Sequence, residues 1–391
     1  MAKKQSKFIS VILCTLALII GLVGSFSVIT YINLPKTDVL VVSEEVYYSN
    51  SNGEISHSNI SLEDAEISIH FLELGNKYTG DCTYIKTKDC DILIDCGSKS
   101  NSVPTVANYL NQYVTDNKLE YVIVTHAHQD HYAGFATTTK VDSIFDLYEC
   151  ENIITFSQTA KGKTTTTMYK NFERELNAEK ANGANVYTAL DCINETNGAK
   201  TIYNIANNIT LEILDSYYYA NQASTENDHS VCTLVKHYYD DANQNNFRSF
   251  IFTGDLEHEG EAELIKMNNL PKVDLYKAGH HGSKTSSTPE FLEVIQPKTV
   301  CVCCCAGSPE YTKTPENQFP TQDFINNISK YTSDIYVTTL CVDYKNNEFT
   351  SFNGDIIYMS NKLGYNIKCS NNNIILKESD WFKTNRTWPA A

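Results

Sequence analysis

The chain has 391 residues, of which 42% are hydrophobic and 20% charged; this is the balance of a folded protein with one large domain or two, and it excludes a disordered chain. Its net charge of −16 opposes tight, unspecific binding to nucleic acid, because neutralising phosphates needs a basic surface. A nuclease stays open, since bound cations make a site locally positive.

Lys3, Lys4 and Lys7 precede an uncharged run from Phe8 to Leu34. At ~1.5 Å per residue this run reaches roughly 40 Å, more than a bilayer core needs. It is longer than the apolar part of an ordinary signal peptide, and no small-x-small cleavage site follows it. The expectation is an uncleaved signal anchor spanning the lipid bilayer through residues 8–34; a cleaved signal would make the product secreted. Lysines before the span and an acidic bulk after it place the N-terminal tip (1–34 with the anchor) in the cytoplasm and the remainder outside the cell membrane. Residues 35–64 are polar and read as a linker.

Strands are expected at Ile67–Leu72, Cys82–Lys86 and Asp91–Asp95, the last ending in the turn Cys96-Gly97. Val103, Val106, Ala107, Leu110 and Val114 fall at helical spacing and predict a helix over 103–117, with Pro104 in its first turn. Tyr121–Val124 then reads as a buried strand, and strand–helix–strand order suggests an α/β arrangement with ligands at strand C-termini. A further helix is expected over Thr167–Asn182, followed by strands at Ile209–Leu214, Val231–Val235, Phe250–Phe252 and Val273–Lys277. Thr299–Ala306 reads as a buried strand in which Cys301, Cys303, Cys304 and Cys305 act as small hydrophobes. Disulfide pairing cannot be derived. Residues 65–342 make up the main domain, and 343–391, with its Asn-rich turns, reads as a small C-terminal β appendage.

Three of these strands run into loops carrying ligand chemistry. After Val124 comes Thr125-His126-Ala127-His128-Gln129-Asp130-His131, which packs three of the ten histidines and a carboxylate into six positions. Imidazoles and carboxylates so clustered suit one or two divalent cations. His126 and His128 can face one ion, and Asp130 and His131 a second. Asp255, after Thr253-Gly254, suits a bridging carboxylate; His280, in Gly279-His280-His281-Gly282-Ser283, suits a closing imidazole. Water held between two such ions ionises near neutral pH to a hydroxide nucleophile.

This set of motifs resembles the metallo-β-lactamase superfamily, and within it the branch containing the ComEC hydrolase domain. Ile92-Leu93-Ile94-Asp95-Cys96-Gly97 and Asn227-Asp228-His229-Ser230 support the likeness, which runs from about Ile67 to Thr339. The resemblance implies an α/β, four-layer αββα sandwich binding two divalent metal ions, zinc or manganese. It implies His126, His128, Asp130, His131, Asp255 and His280 as metal ligands and Asp130 and His281 as catalytic residues, His281 being free to reach substrate. Asn227, Ser230, Gly282, Ser283 and Ser287 are the expected substrate contacts; Lys284 reads as a solvated surface lysine, and His229 stays open as a further ligand. Where the branch carries a late histidine before proline, this chain has Phe319-Pro320.

The expected activity is metal-dependent hydrolysis, foremost of a phosphoester in a small molecule, a nucleic acid or a cell-wall polymer. Hydrolysis of a lactone, thioester or β-lactam by the same site is the alternative, and a non-catalytic, metal-stabilised surface module is the third reading.

Overall fold

The computed structural model describes residues 60–390 except position 241, together with three short strands before them, β1 (Val39–Val42), β2 (Glu45–Ser49) and β3 (Ile55–Ser56). The expected anchor, 8–34, lies outside the described residues. Among the described residues no helix is long and apolar enough to cross a membrane. The described residues fall into two compact units: one with β1, β2, β3 and residues 60 and 363–366, and the other with the rest. In the first, β1, β2 and β3 pair as an antiparallel sheet, so part of the stretch read as linker is strand.

The second unit is built on two large mixed sheets. In the first sheet β18 (Ile356–Asn361), β4 (Ile67–Phe71), β5 (Thr83–Thr87) and β6 (Asp91–Ile94) are antiparallel. The sheet continues in parallel through β7 (Lys118–Val124), β8 (Glu149–Thr155) and β9 (Asn185–Thr188). The second sheet repeats this logic. Its antiparallel half is β10 (Ile202–Ala206), β11 (Ile209–Ile213), β12 (Thr233–Tyr238) and β13 (Phe247–Phe252). Its parallel half adds β14 (Leu275–Lys277), β15 (Thr299–Ala306) and β16 (Ile335–Asp343), edged by antiparallel β17 (Glu348–Ser351).

Side-chain alternation shows how the layers stack. Phe71 faces the other sheet and meets Phe252, ring centroids 6.3 Å apart, while Phe250 meets Tyr358 at 5.2 Å. The residue before Phe71 points the other way: His70 Nδ1 lies 2.7 Å from the Tyr109 hydroxyl on the helix Val103–Leu110. Likewise Ile251 turns from the facing sheet into a cluster with Leu264, Phe291, Leu292, Phe324 and Ile328, supplied by helices on that outer side. Both sheets are thus covered on both faces, which is why β4, β6 and β15 are buried at every position. The four cysteines of β15 are packed as small apolar side chains, and all twelve cysteines among the described residues are free thiols.

The helix Thr167–Asn182 forms over the expected span, because Thr166 accepts the Tyr169 N–H at its start and Gly183, at φ 112°, closes its end. The helix from Val103 stops at Leu110, short of the expected 117, and turns before Val114 is buried. The C-terminal stretch departs most from expectation. It is not an appendage: β18 pairs with β4 inside the first sheet and β17 extends the second. Asn353, fully buried, ties this stretch down. Its Oδ1 accepts the Val337 N–H at 2.7 Å, and its Nδ2 donates to the Asn372 and Ile374 carbonyls at 2.8 and 2.9 Å.

An Asn353→Leu substitution strands the buried Val337 N–H and weakens the tie to two part-buried carbonyls, and is expected to cost roughly 3 kcal/mol. Urea unfolding measures it; a loss under ~1 kcal/mol would show that these bonds do not secure the C-terminal strands.

Candidate metal centre

The site lies where the strand ends of both sheets converge. In the first sheet the start of β5 pairs with the end of β6, Thr83 opposite Ile94, so Asp81 and Asp95 lie at one edge with the histidine loop that follows β7. In the second, Phe252 at the end of β13 pairs with Lys277 at the end of β14, which sets Asp255 beside the double-histidine turn. Gly97 and Gly254 permit the close approach. A Cβ on Gly97 would sit 1.5 Å from the Asp130 carbonyl oxygen, and one on Gly254, at φ 54°, 2.8 Å from Ser230 Oγ.

Asp81, His131, Asp255 and His281 present ligand atoms that all lie within 4.8 Å of one another, and all four side chains are buried. His131 Nε2 and His281 Nε2 approach the same oxygen, Asp255 Oδ2, at 3.1 and 3.2 Å. His281 Nδ1 lies 2.9 Å from the Cys303 carbonyl oxygen and 3.2 Å from Asp81 Oδ1. His131 Nδ1 is held by Asp95 Oδ2 at 2.7 Å, and Asp95 in turn accepts from the Thr125 N–H and hydroxyl at 2.8 and 2.7 Å. This carboxylate–imidazole relay fixes the ring so that Nε2 faces the cluster. Beside it, His126 Nε2 and His128 Nδ1 are 3.0 Å apart, and the His126 and His131 rings 4.2 Å apart. Asp130 Oδ2 lies 3.7 Å from His281 Nε2.

The turn Gly279–Gly282 brings in His281 where His280 was expected. Both histidines have left-handed backbones, at φ 45° and 55°, so the chain reverses within two residues and swings His281 inward. His280 goes to a half-buried polar group outside the cluster, its Nδ1 2.9 Å from Thr285 Oγ1 and 3.2 Å from Glu257 Oε1. The structure thus places His281, and not His280, in the four-residue cluster, with its ring enclosed.

Among the expected substrate contacts, Ser230 is structural; its hydroxyl accepts the Asp255 N–H at 3.1 Å. Ser287 is fully buried, with its hydroxyl 3.0 Å from that of Tyr276 and its N–H donated to Glu261. Ser283 bonds Thr285 Oγ1, and the Gly282 carbonyl accepts from Thr321. Asn227 borders His280, donating to Glu257 at 3.2 Å, and its buried Oδ1 has no hydrogen-bond donor. His229 bonds the Tyr218 carbonyl and is not among the four. His237 is paired with Glu66 at 2.7 Å and His70 with Ser68, both away from the cluster.

Three functional positions were not singled out from sequence: Asp81, Lys277 and the relay role of Asp95. Lys277, buried, makes an ion pair with Asp81, lies 3.6 Å from Asp255 Oδ1 and donates to the Gly254 carbonyl at 2.9 Å. Glu226, also buried, accepts the Ala127 N–H between the first two histidines and the Ala160 N–H. The one sequence signal for Asp81 is Gly80-Asp81 at a strand start; Lys277 ends an apolar strand and carries no signal of its own.

The electrostatics follow from burial. Burial disfavours charge on His131, but Asp255 and Asp95 outweigh it and hold its pKa well above the usual histidine value; Asp255 and Asp81 do the same to His281. Burial alone opposes ionisation of Asp255, yet the two imidazoles pull its pKa well below the carboxylate range. At His126 and His128 burial outweighs the weaker pull of Asp130 and Asp255 and drives the pKa down, in His128 to about 4. These two are neutral at physiological pH, the form in which imidazole binds a metal.

The donor set fits a divalent cation. His131 Nε2, His281 Nε2, Asp255 Oδ1 and both Asp81 oxygens are buried and make no regular hydrogen bond, although they crowd together. Buried polar atoms so placed call for a shared positive charge. Nitrogen and carboxylate donors suit zinc or manganese.

Comparison with known proteins agrees with this chemistry. Residues 75–141 match the family model described as the metallo-beta-lactamase superfamily. The chain is 50% identical over 54 residues to ComE operon protein 3 of Bacillus subtilis (strain 168), a match spanning 14% of this chain and 7% of that protein. Among solved structures it is similar to the metallo-beta-lactamase fold protein YhfI from Bacillus subtilis, at 12% identity and TM-score 0.37 over 69% of this chain and 95% of that one. It is also similar to a long form RNase Z from yeast, at 13% identity and TM-score 0.41 over 75% and 42%. The likeness to the metallo-beta-lactamase superfamily thus covers residues 75–141, and the chain spans only a small part of the ComE operon protein it matches.

Two outcomes are expected. Asp95→Asn keeps the volume but loses the charge that orients His131, so divalent-metal affinity should fall ten- to a hundredfold in chelator competition; unchanged affinity would remove Asp95 from the site. Glu261, fully buried on the helix His258–Met267, holds the turn after the double histidine by accepting the Ser287 and Thr288 N–H groups. Burial nonetheless pushes its pKa from the ordinary 4.5 to about 7. The folded state then keeps a proton that the unfolded chain releases, so this contribution is full below pH 4.5 and lost as pH rises towards 7. Wild type should lose about 3 kcal/mol more than Glu261→Gln across that window; parallel stability–pH curves would contradict this.

Proposed function

We propose that this chain is a membrane-anchored, extracytoplasmic hydrolase whose two-ion site cleaves phosphodiesters. The observation that carries the reading is the buried Asp81–His131–Asp255–His281 cluster beside His126, His128 and Asp130. In this reading His126 and His128 would hold one zinc or manganese ion and Asp81, His131 and His281 the other, with Asp255 and Asp130 as further donors. The finer architecture is the four-layer αββα sandwich of the superfamily. Ions bound there would supply Lewis acidity and an activated water nucleophile.

The protein's own residues do the positioning. Asp95 keeps His131 in one tautomer, and the Cys303 carbonyl accepts from His281 Nδ1, so both rings offer Nε2 inward. Lys277 offsets the surplus negative charge of Asp81 and Asp255 from the side of the sheet. Glu226 fixes the peptide between His126 and His128. Surrounding strands exclude water, so the field of these groups acts nearly unscreened.

The preference for a phosphoester rests on the ComEC-type resemblance, and the substrate is a nucleic acid, a cell-wall polymer or a smaller phosphodiester. The uncharged run 8–34 supports anchoring in the cell membrane, with the acidic domain outside. Asp255→Asn is the direct test: hydrolysis of bis-p-nitrophenyl phosphate by the metal-loaded protein should fall at least a thousandfold with the fold intact by circular dichroism. Full activity in that variant would sink the mechanism.

A further inference from the structure

Between β15 and the helix Gln322–Ile328 the chain makes a long excursion, 307–321, that runs back over the metal centre. It is fastened at two points. Glu310 Oε2 accepts the Thr79 N–H at 3.0 Å, two residues before Asp81, and the Tyr311 hydroxyl donates to Asp130 Oδ2 at 2.8 Å. On its return limb Phe319 packs against both histidines of the double motif, with centroids 5.7 Å from His280 and 5.8 Å from His281. The rings of Tyr311 and Phe319 are 5.6 Å apart. Phe319 is largely covered, but Tyr311 remains 56% exposed while its hydroxyl touches the cluster.

Fastening the loop accounts for the hydroxyl but not for the ring. An aromatic face left in water at the mouth of a buried reaction centre, with a second ring behind it, is the arrangement that receives a planar group by offset stacking. The nearest reacting groups, Asp130 and His281, are in direct contact with this pair of rings. We propose that Tyr311, backed by Phe319, is a substrate-contacting specificity residue: its ring is the wall against which a planar group next to the scissile phosphoester stacks. The favoured substrates are then phosphodiesters carrying a base or an aryl ring, ahead of wholly aliphatic ones. This rests on the phosphodiesterase reading above. The alternative is a latch, in which Tyr311 serves only to hold Asp130.

The test compares Tyr311→Phe with Tyr311→Leu in the full, metal-loaded chain. Both lose the hydroxyl and its contact with Asp130; only the second loses the ring. Between the two, kcat/KM for bis-p-nitrophenyl phosphate should fall a further tenfold or so, carried mostly by KM, while kcat/KM for glycerophosphoglycerol, which has neither a ring nor a cationic group, stays level. A latch predicts equal values for the two variants on both substrates, and that result overturns the proposal. If wild type fails to turn over both compounds, the phosphodiesterase reading is in question, and the wall is judged by binding alone. Equilibrium binding of p-nitrophenyl phosphate, but not of glycerol phosphate, should then weaken about tenfold from Phe to Leu; equal binding overturns it.

Discussion

The structure depends on holding three buried carboxylates, Asp81, Asp95 and Asp255, in one space with two imidazoles and the Lys277 ammonium group. Charges taken so far out of water are tolerated only when each is answered by an opposite charge or a hydrogen bond. Here each answer comes from a different strand end. Asp81 precedes β5, Asp95 follows β6, His131 follows β7, Asp255 follows β13, and Lys277 and His281 lie at and beyond the end of β14. No one segment can form the site, and neither sheet alone can satisfy it. The contact of Phe71 with Phe252, where the facing sheets meet, is therefore as much a part of the site as the ligands.

Much of this was legible in the sequence because short apolar strands and their loops are local signals. The strands before Asp95, His126, Asp255 and His280 were found, as was the helix Thr167–Asn182. What escaped was decided by geometry that spacing does not carry. Two adjacent histidines are indistinguishable in sequence; consecutive left-handed backbones at His280 and His281 choose between them. Asp81 has no histidine near it in the chain and joins the cluster only through the pairing of β5 with β6. Lys277 is in sequence only the last residue of a strand, because its ion-pair partners lie at Asp81 and Asp255, far away along the chain.

The C-terminal stretch shows the opposite error. Its Asn-rich turns suggested an accessory piece, yet Ile356-Ile357-Tyr358-Met359 is buried throughout and lies beside β4. An unbroken apolar run is the mark of a strand covered on both faces, and that signal outweighed the turns. At Phe319 the sequence departure had a structural counterpart: an aromatic ring lies against the double histidine, and the polar contact from the same loop comes from Tyr311 instead.

In the proposed reading Asp81, His131, Asp255 and His281 together hold a catalytic cation. Elemental analysis of the full chain, purified with zinc or manganese and compared with His281→Ala and His280→Ala, tests it most directly. Bound metal is expected in wild type, nearly the same amount in His280→Ala, and a clear loss in His281→Ala. Metal retained without His281 but lost without His280 would contradict it.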